Sequence, residues 1–203
     1  MIQYPTPPHV IIQRQPWLHA THPAVIDVVS CSLLYTQLLH TVQWGSEYEE
    51  GDPNNTLYYP TCDIYTTLNQ QFGAFTQEDW IQYLDTVLGA NIDSTVHTRL
   101  MLDRRTTGGY LEPHTDDNHF ERFSEELGVE VSHSITQHIY IMRDYRSVNS
   151  GMLLHTVDEQ PQNQIACAPG SYCAYVNTPY SIHSVPANPH SDDRLLLTFR
   201  SFW

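Results

Sequence analysis

The chain has 203 residues, the size of one ordinary domain, and 40% of them are apolar, which is enough for a hydrophobic core. Its formal net charge is −14 and its nine basic residues are all arginine, so catalysis through a lysine Schiff base or a P-loop lysine is excluded. Because an acidic surface repels phosphate backbones, the composition argues against a nucleic-acid partner.

No segment indicates export or membrane insertion. Residues 1–17 lack the basic start and long apolar run of a signal peptide. No stretch approaches the roughly 18 apolar residues of a membrane span. None of the four cysteines belongs to a Cys-x-x-Cys pair, so we expect reduced thiols and no structural zinc site. The sequence therefore predicts a cytoplasmic protein with no membrane partner.

Residues 1–95 are predicted to be partly helical. Apolar residues recur at roughly helical spacing from Pro23 to Trp44. A second helix is predicted to begin near Thr76, which has an acidic residue three positions later, and to end at Gly89. We expect this region to support a core formed by residues 96–203, within a single domain that spans 1–203.

From Val96 onward, short apolar runs alternate with turn residues, which is typical of a sandwich or barrel. Eight strands are predicted, the number in a double-sheet jelly roll. They lie near 96–103, 109–114, 135–142, 151–155, 164–168, 171–176, 181–185 and 194–200. The predicted fold is mainly β with N-terminal helices.

The segment from Gly108 to Asp116 carries the clearest chemical signal. Residues two apart on a strand point to the same face, so His114 and Asp116 can bind one metal ion together. His183, on a later apolar strand, is the candidate third ligand. Two histidines and one carboxylate leave three positions open on an octahedral iron(II) ion.

Arg194 follows His183 by eleven positions and opens the last predicted strand. A guanidinium there can form a two-pronged pair with the distal carboxylate of a bound diacid.

With these four residues in place, the segment from Val96 to Trp203 resembles the 2-oxoglutarate/Fe(II)-dependent oxygenase superfamily, in a pattern like that of prolyl hydroxylases. The family pattern is His-x-Asp, a distant His, and then Arg or Lys about ten residues later. The resemblance implies a double-stranded β-helix, iron(II) held by His114, Asp116 and His183, and 2-oxoglutarate anchored by Arg194. It also implies O₂ as oxidant and hydroxylation of an unactivated C–H bond in a small molecule, amino acid or peptide.

Two further cosubstrate contacts are open. The family often places a tyrosine on the first core strand, where this chain has Arg99 and Arg105, so Tyr140 is the substitute candidate or else a core aromatic. Arg200 is six positions after Arg194, a spacing found in nucleic-acid dealkylases, although those usually have Asn where Leu196 stands. Arg200 is thus either a contact for the proximal end of 2-oxoglutarate or a surface arginine.

Other interpretations use the same residues differently. A cupin-type metal dioxygenase or isomerase would not use 2-oxoglutarate and would not need a cation such as Arg194. A related barrel could also serve as a non-catalytic binding module, although the complete ligand set argues against it. The pair His19 and His22 lacks further nearby ligands for zinc. Residues 117–132 are predicted to form either a mobile lid or a short helix packed on the barrel.

Overall fold

The computed structural model describes residues 9–48, 56–92, 96–116, 120, 124–125, 128, 130–144, 151–189 and 191–203. Within these ranges the strands form two antiparallel sheets. The strands are β1 Ile11–Gln13, β2 His19–His22, β3 Trp44–Tyr48, β4 Thr56–Pro60, β5 His97–Arg105, β6 Leu111–His114, β7 Ser134–Ile141, β8 Leu153–His155, β9 Pro161–Gln164, β10 Tyr172–Val176, β11 His183–Val185 and β12 Arg194–Phe202. The helices are α1 Val28–Thr41, α2 Tyr65–Phe72 and α3 Glu78–Leu88, with a 3-10 turn at Gly73–Thr76 between the last two.

The strands from β5 to β12 form a jelly roll, as the sequence predicts. The large sheet has the order β1-β2-β10-β7-β12-β5-β4-β3, and the small sheet has the order β6-β11-β8-β9. Along the chain, the strands pass back and forth between the two sheets. The large sheet contains β5, β7, β10 and β12, and the small sheet contains β6, β8, β9 and β11. This exchange of strands between two sheets is the topology of a double-stranded β-helix.

All eight predicted strands overlap observed ones. The least accurate prediction is the one for β9. A strand was predicted at 164–168 because Ile165 and Cys167 are apolar, and both are indeed buried. The observed strand, β9, occupies Pro161–Gln164. That strand is polar and mostly exposed, so it lacks the apolar alternation on which strand prediction depends.

Alternation on the large sheet separates the core from a cavity. On β12, Leu195, Leu197 and Phe199 belong to the main hydrophobic cluster, which also contains residues of α1 and α3. The intervening residues, among them Arg194 and Arg200, line a cavity on the other face of the sheet. Because side chains alternate along a strand, β5 and β7 divide in the same way.

The two predicted N-terminal helices are confirmed as α1 and α3. The expected cap at Thr76 is wrong: α3 starts after Gln77, and the Thr76 hydroxyl donates instead to the Gly73 carbonyl at 2.9 Å. The helix ends as predicted at Gly89, whose φ of 63° lies in the left-handed region that glycine tolerates.

Strands β1 to β4 and helix α2 were not predicted, because these segments are short and carry weak periodicity. They extend the large sheet at both edges: β2 pairs with β10, and β4 pairs with β5. Most of the segment 117–132, predicted as a lid or packed helix, lies outside the described residues.

Candidate metal centre

The small sheet brings the two predicted histidines together. Strands β6 and β11 are antiparallel neighbours, and His114 is the register partner of His183. The two imidazole rings lie 4.3 Å apart, centre to centre. Asp116 follows the end of β6, and one ligand atom from each of the three residues lies within 4.8 Å of the others. The structure thus places these side chains as the sequence predicts for one metal ion.

Backbone carbonyls orient both imidazoles. His114 Nδ1 lies 2.7 Å from the carbonyl oxygen of Glu112, and His183 Nδ1 lies 2.9 Å from that of Ser181. Since a carbonyl only accepts, each Nδ1 must carry a proton, so the neutral form of each ring has its lone pair on Nε2. This is the arrangement of metal-binding histidines, in which an outer hydrogen bond fixes the ring that faces the metal.

The charge states also suit a cation. Burial lowers the pKa of His183 to about 4, so this imidazole is neutral at pH 7 and can donate a lone pair. Burial would raise the pKa of Asp116, but the Arg200 guanidinium, 2.6 Å from Oδ2, holds it well below its usual range. The centre therefore presents the Asp116 carboxylate and the neutral His183 imidazole, with His114 beside them, a donor set that fits a divalent metal.

One oxygen of Asp116 is engaged by the protein. Arg200 Nη2 donates to Oδ2 at 2.6 Å, and the Tyr175 hydroxyl lies 3.3 Å from the same oxygen. The other oxygen, Oδ1, lies 3.7 Å from His114 Nε2. Arg200 and Tyr175 therefore leave Oδ1 as the oxygen best placed for a metal.

A chain of hydrogen bonds ends on this carboxylate. His138 Nδ1 lies 2.9 Å from the Thr198 hydroxyl, and His138 Nε2 lies 3.1 Å from the Tyr175 hydroxyl. Burial lowers the pKa of His138 to about 3, so the ring carries a single proton. If the Tyr175 hydroxyl donates to Asp116, then His138 donates from Nε2 to Tyr175 and accepts at Nδ1 from Thr198. Every donor and acceptor in this series of hydrogen bonds then has a partner.

A cavity of about 310 Å³ opens beside the centre. This volume is at the lower end of the usual range for small-molecule sites. The small sheet contributes His114, His183, Leu111 and Val185 to its wall, and Asp116 lies among them. The large sheet contributes Arg99, Met101, Asp103 and Arg105 from β5, His138 and Tyr140 from β7, and Arg194, Leu196, Thr198 and Arg200 from β12.

The three candidate cosubstrate residues all line this cavity. Arg194 is 3% exposed, and its Nη2 donates to the carbonyls of Gly109 at 3.1 Å and Pro186 at 3.2 Å. Tyr140 is fully buried on the adjacent strand, in register with Leu196. Arg200 is buried against Asp116, so the surface interpretation of this arginine is wrong.

Sequence reasoning missed Asp103, His138 and Tyr175 as residues of the site. Asp103 carries a signal, since three of the four residues Arg99, Met101, Asp103 and Arg105 on one face of β5 are charged while Leu100 and Leu102 lie on the other face. His138 and Tyr175 lie in strands that are buried on both faces, where nothing local distinguishes a site residue from a core residue.

No protein-family model and no curated protein matches this chain. Solved structures do match it. An oxidoreductase of the 2OG-Fe(II) oxygenase family from Burkholderia pseudomallei is 12% identical, with 91% of this chain and 84% of that chain covered and a TM-score of 0.59. A prolyl-4-hydroxylase from Pseudomonas putida is 11% identical, with 91% of each chain covered and a TM-score of 0.57.

HygX from Streptomyces hygroscopicus, solved with nickel and 2-oxoglutarate bound, is 10% identical, with 91% of this chain and 82% of that chain covered and a TM-score of 0.58. At such low identity the likeness shows the fold. The resemblance noted in the sequence is thus confirmed at the level of the jelly roll. Among the described helices, none combines the length and apolar character needed to cross a bilayer.

Proposed function

We propose that the chain is an iron(II)- and 2-oxoglutarate-dependent oxygenase that hydroxylates a small molecule, an amino acid or a peptide. The observation that carries the proposal is the cluster of His114, Asp116 and His183 beside a cavity that also contains buried Arg194. The whole chain would act as one oxygenase domain, in which residues 1–95 support the core.

His114, Asp116 and His183 would hold iron(II) through the two Nε2 atoms and Oδ1. When bound, iron(II) with 2-oxoglutarate and O₂ supplies the oxidation of an unactivated C–H bond, with succinate and CO₂ formed from the cosubstrate. The two backbone carbonyls keep both imidazoles in the tautomer that this binding needs. No side-chain nucleophile is required.

Arg194 would bind the distal carboxylate of 2-oxoglutarate. Its guanidinium is buried, and hydrogen bonds to Gly109 and Pro186 fix its direction. A charge-assisted pair in such a site is stronger than one in water. Tyr140 lines the same wall and is a further candidate contact. Arg200 would contact the cosubstrate while its guanidinium remains paired with Asp116.

Apolar side chains would keep water from the reacting atoms. Leu196, Val185 and Met152 line the cavity between its charged groups. Exclusion of water strengthens the electrostatic contacts of a bound diacid and limits side reactions.

Succinate formation tests the proposal. The purified chain, supplied with iron(II), 2-oxoglutarate and O₂, is assayed against a panel of amino acids, peptides and small metabolites. We expect one class of compound to stimulate succinate release, and both His183→Ala and Arg194→Ala to abolish or strongly reduce it. Oxidised product formed without 2-oxoglutarate would instead indicate a cupin-type metal dioxygenase.

A further inference from the structure

The inner face of β5 carries charges that the proposed chemistry does not use. Arg99, Met101, Asp103 and Arg105 alternate along this strand, and all four line the cavity. Asp103 is the register partner of Leu196, which lies on β12 two residues after Arg194 and four before Arg200. A carboxylate therefore lines the cavity at a level of β12 between the proposed cosubstrate anchor, Arg194, and Arg200, which contacts the metal centre.

The other cavity charges near Asp103 have partners within the protein. Arg200 donates to Asp116 at 2.6 Å. Arg105 Nη1 donates to the Tyr110 carbonyl at 2.8 Å. By contrast, the Asp103 carboxylate accepts no hydrogen bond and makes no ion pair within the described part of the chain.

Such a carboxylate is costly to the fold. Burial raises the pKa of Asp103 to about 6, even though the charges of Arg105 and Arg200 lower it. Enclosing a charge without a partner disfavours the folded state, so a protein gains nothing in stability from keeping it. A strongly shifted carboxyl in a cleft is the pattern of a functional residue.

We propose that Asp103 binds a cationic nitrogen, an ammonium or guanidinium group, of the substrate, and so determines which substrates enter the cavity. This inference rests on the proposed oxygenase function and narrows its substrate class. A bound cation would give the carboxylate the charge-assisted hydrogen bonds that the protein does not supply. The cavity volume of about 310 Å³ restricts the substrate to a small molecule or one side chain of a peptide.

The charge of the whole chain favours the same class. A net charge of −14 produces a field that draws small cations toward the protein and repels anions. The four cavity arginines favour anions at short range, so an anionic substrate is the competing outcome. A test must therefore compare a cation with an anion of the same size.

Methionine methyl groups provide a local probe of binding. Met101 lies two residues from Asp103 on the same strand face, and Met152 also lines the cavity. Met142 is buried behind the cavity wall, in the apolar cluster that contains Met152, and serves as an internal reference. The chain, labelled with ¹³C at the methionine methyls and loaded with zinc and 2-oxoglutarate, is titrated with n-butylammonium, butan-1-ol and butyrate while the Met101 signal is followed by NMR.

We expect n-butylammonium to bind at least tenfold more tightly than butan-1-ol, and Asp103→Asn to remove this preference. Asp192→Asn is the matched control, because it removes one negative charge at a site paired with exposed Arg143. In that control the n-butylammonium affinity should stay within twofold of wild type. The 2-oxoglutarate affinity of Asp103→Asn, measured by calorimetry, should stay within threefold.

Three results would overturn the assignment. These are equal n-butylammonium affinity in wild type and Asp103→Asn, butyrate binding more tightly than n-butylammonium in both, or a gain of tenfold or more in 2-oxoglutarate affinity in Asp103→Asn. The last would place Asp103 against the cosubstrate. A wild-type chain that binds no 2-oxoglutarate contradicts the proposed function itself, and this separates the two failures.

Discussion

The two walls of the cavity are built in different ways. On the small sheet, each histidine is oriented by a carbonyl two residues earlier in the chain, so the metal-binding wall depends on local backbone contacts. On the large sheet, Arg200 is oriented by Thr136 and Asp116, 64 and 84 positions away. Arg194 is oriented by Gly109, 85 positions away, as well as by Pro186 nearby in the chain. The residues proposed as metal ligands thus follow from short motifs, whereas the charges around them depend on the register of three strands.

This difference separates two tasks. The small-sheet wall would hold the metal, and the large-sheet wall would hold the cosubstrate and select the substrate. Arg200 joins them, because it belongs to β12 but donates to Asp116. Substitutions on one wall should therefore spare the function of the other, with Arg200 as the exception.

The largest effect is expected from His183→Ala. Removal of one of three protein ligands should abolish stoichiometric iron(II) binding and all turnover, because two ligands do not define the site. Iron content after anaerobic loading and gel filtration measures this. His40→Ala, at an exposed position on α1, is the control and should retain iron. Iron retained by His183→Ala with full activity would contradict the assignment.

Arg194→Ala should weaken 2-oxoglutarate binding on the large-sheet wall. Truncation of one partner of a buried charge pair costs about 2 kcal/mol or more, which corresponds to about a thirtyfold loss of 2-oxoglutarate affinity. Iron content should stay at the wild-type level. Calorimetric titration compares this variant with Arg143→Ala, whose side chain is 60% exposed. Unchanged 2-oxoglutarate affinity in Arg194→Ala would shift the anchor to Arg105 or Arg200.

Arg200→Gln tests the link between the walls. Loss of the 2.6 Å bond to Asp116 should free the carboxylate to rotate and weaken iron binding by roughly 10–100-fold, the usual effect of removing an outer partner of a metal ligand. If Arg200 also contacts the cosubstrate, 2-oxoglutarate affinity at saturating iron should fall as well. Competition with a coloured iron chelator measures the first quantity, and calorimetry measures the second. Wild-type iron affinity in this variant would show that Arg200 does not position Asp116.

The last effect concerns the stability of the metal-free chain, not its activity. The pKa of Asp103 is raised to about 6, above an unfolded value of about 3.9, so the folded state binds this proton more tightly. The contribution of Asp103 to stability is therefore present below pH 4 and is lost as pH rises from about 4 to 6. Asp103→Asn should gain free energy of unfolding relative to wild type across this window, as measured by urea unfolding. Parallel pH profiles would contradict the shift.

The sequence predicted what depends on local signals. His114 and Asp116 are two residues apart on a strand, and His183 precedes Arg194 at the family spacing, so spacing was sufficient to find them. The eight strands of the jelly roll were visible as apolar runs, except where polar β9 lacked the alternation.

The sequence could not predict which residues meet across the barrel. The partner of Arg200 is Asp116, 84 positions away, and this contact depends on β12 lying beside β7 and β5. The same register places Asp103 opposite Leu196 and aims it into the cavity. Strands β1 to β4 were missed because each has only three to five residues, too few to show a clear alternation.

An anaerobic titration of the iron(II)-loaded chain with 2-oxoglutarate tests the central claim most directly. Chelation of iron(II) by the keto acid gives a visible charge-transfer absorption that neither component gives by itself. We predict that this band appears and saturates at one equivalent in the wild type, requires a higher concentration in Arg194→Ala, and is absent in His183→Ala. Absence of the band in the wild-type protein, with iron bound, would contradict the claim that the metal centre and Arg194 form one site for 2-oxoglutarate.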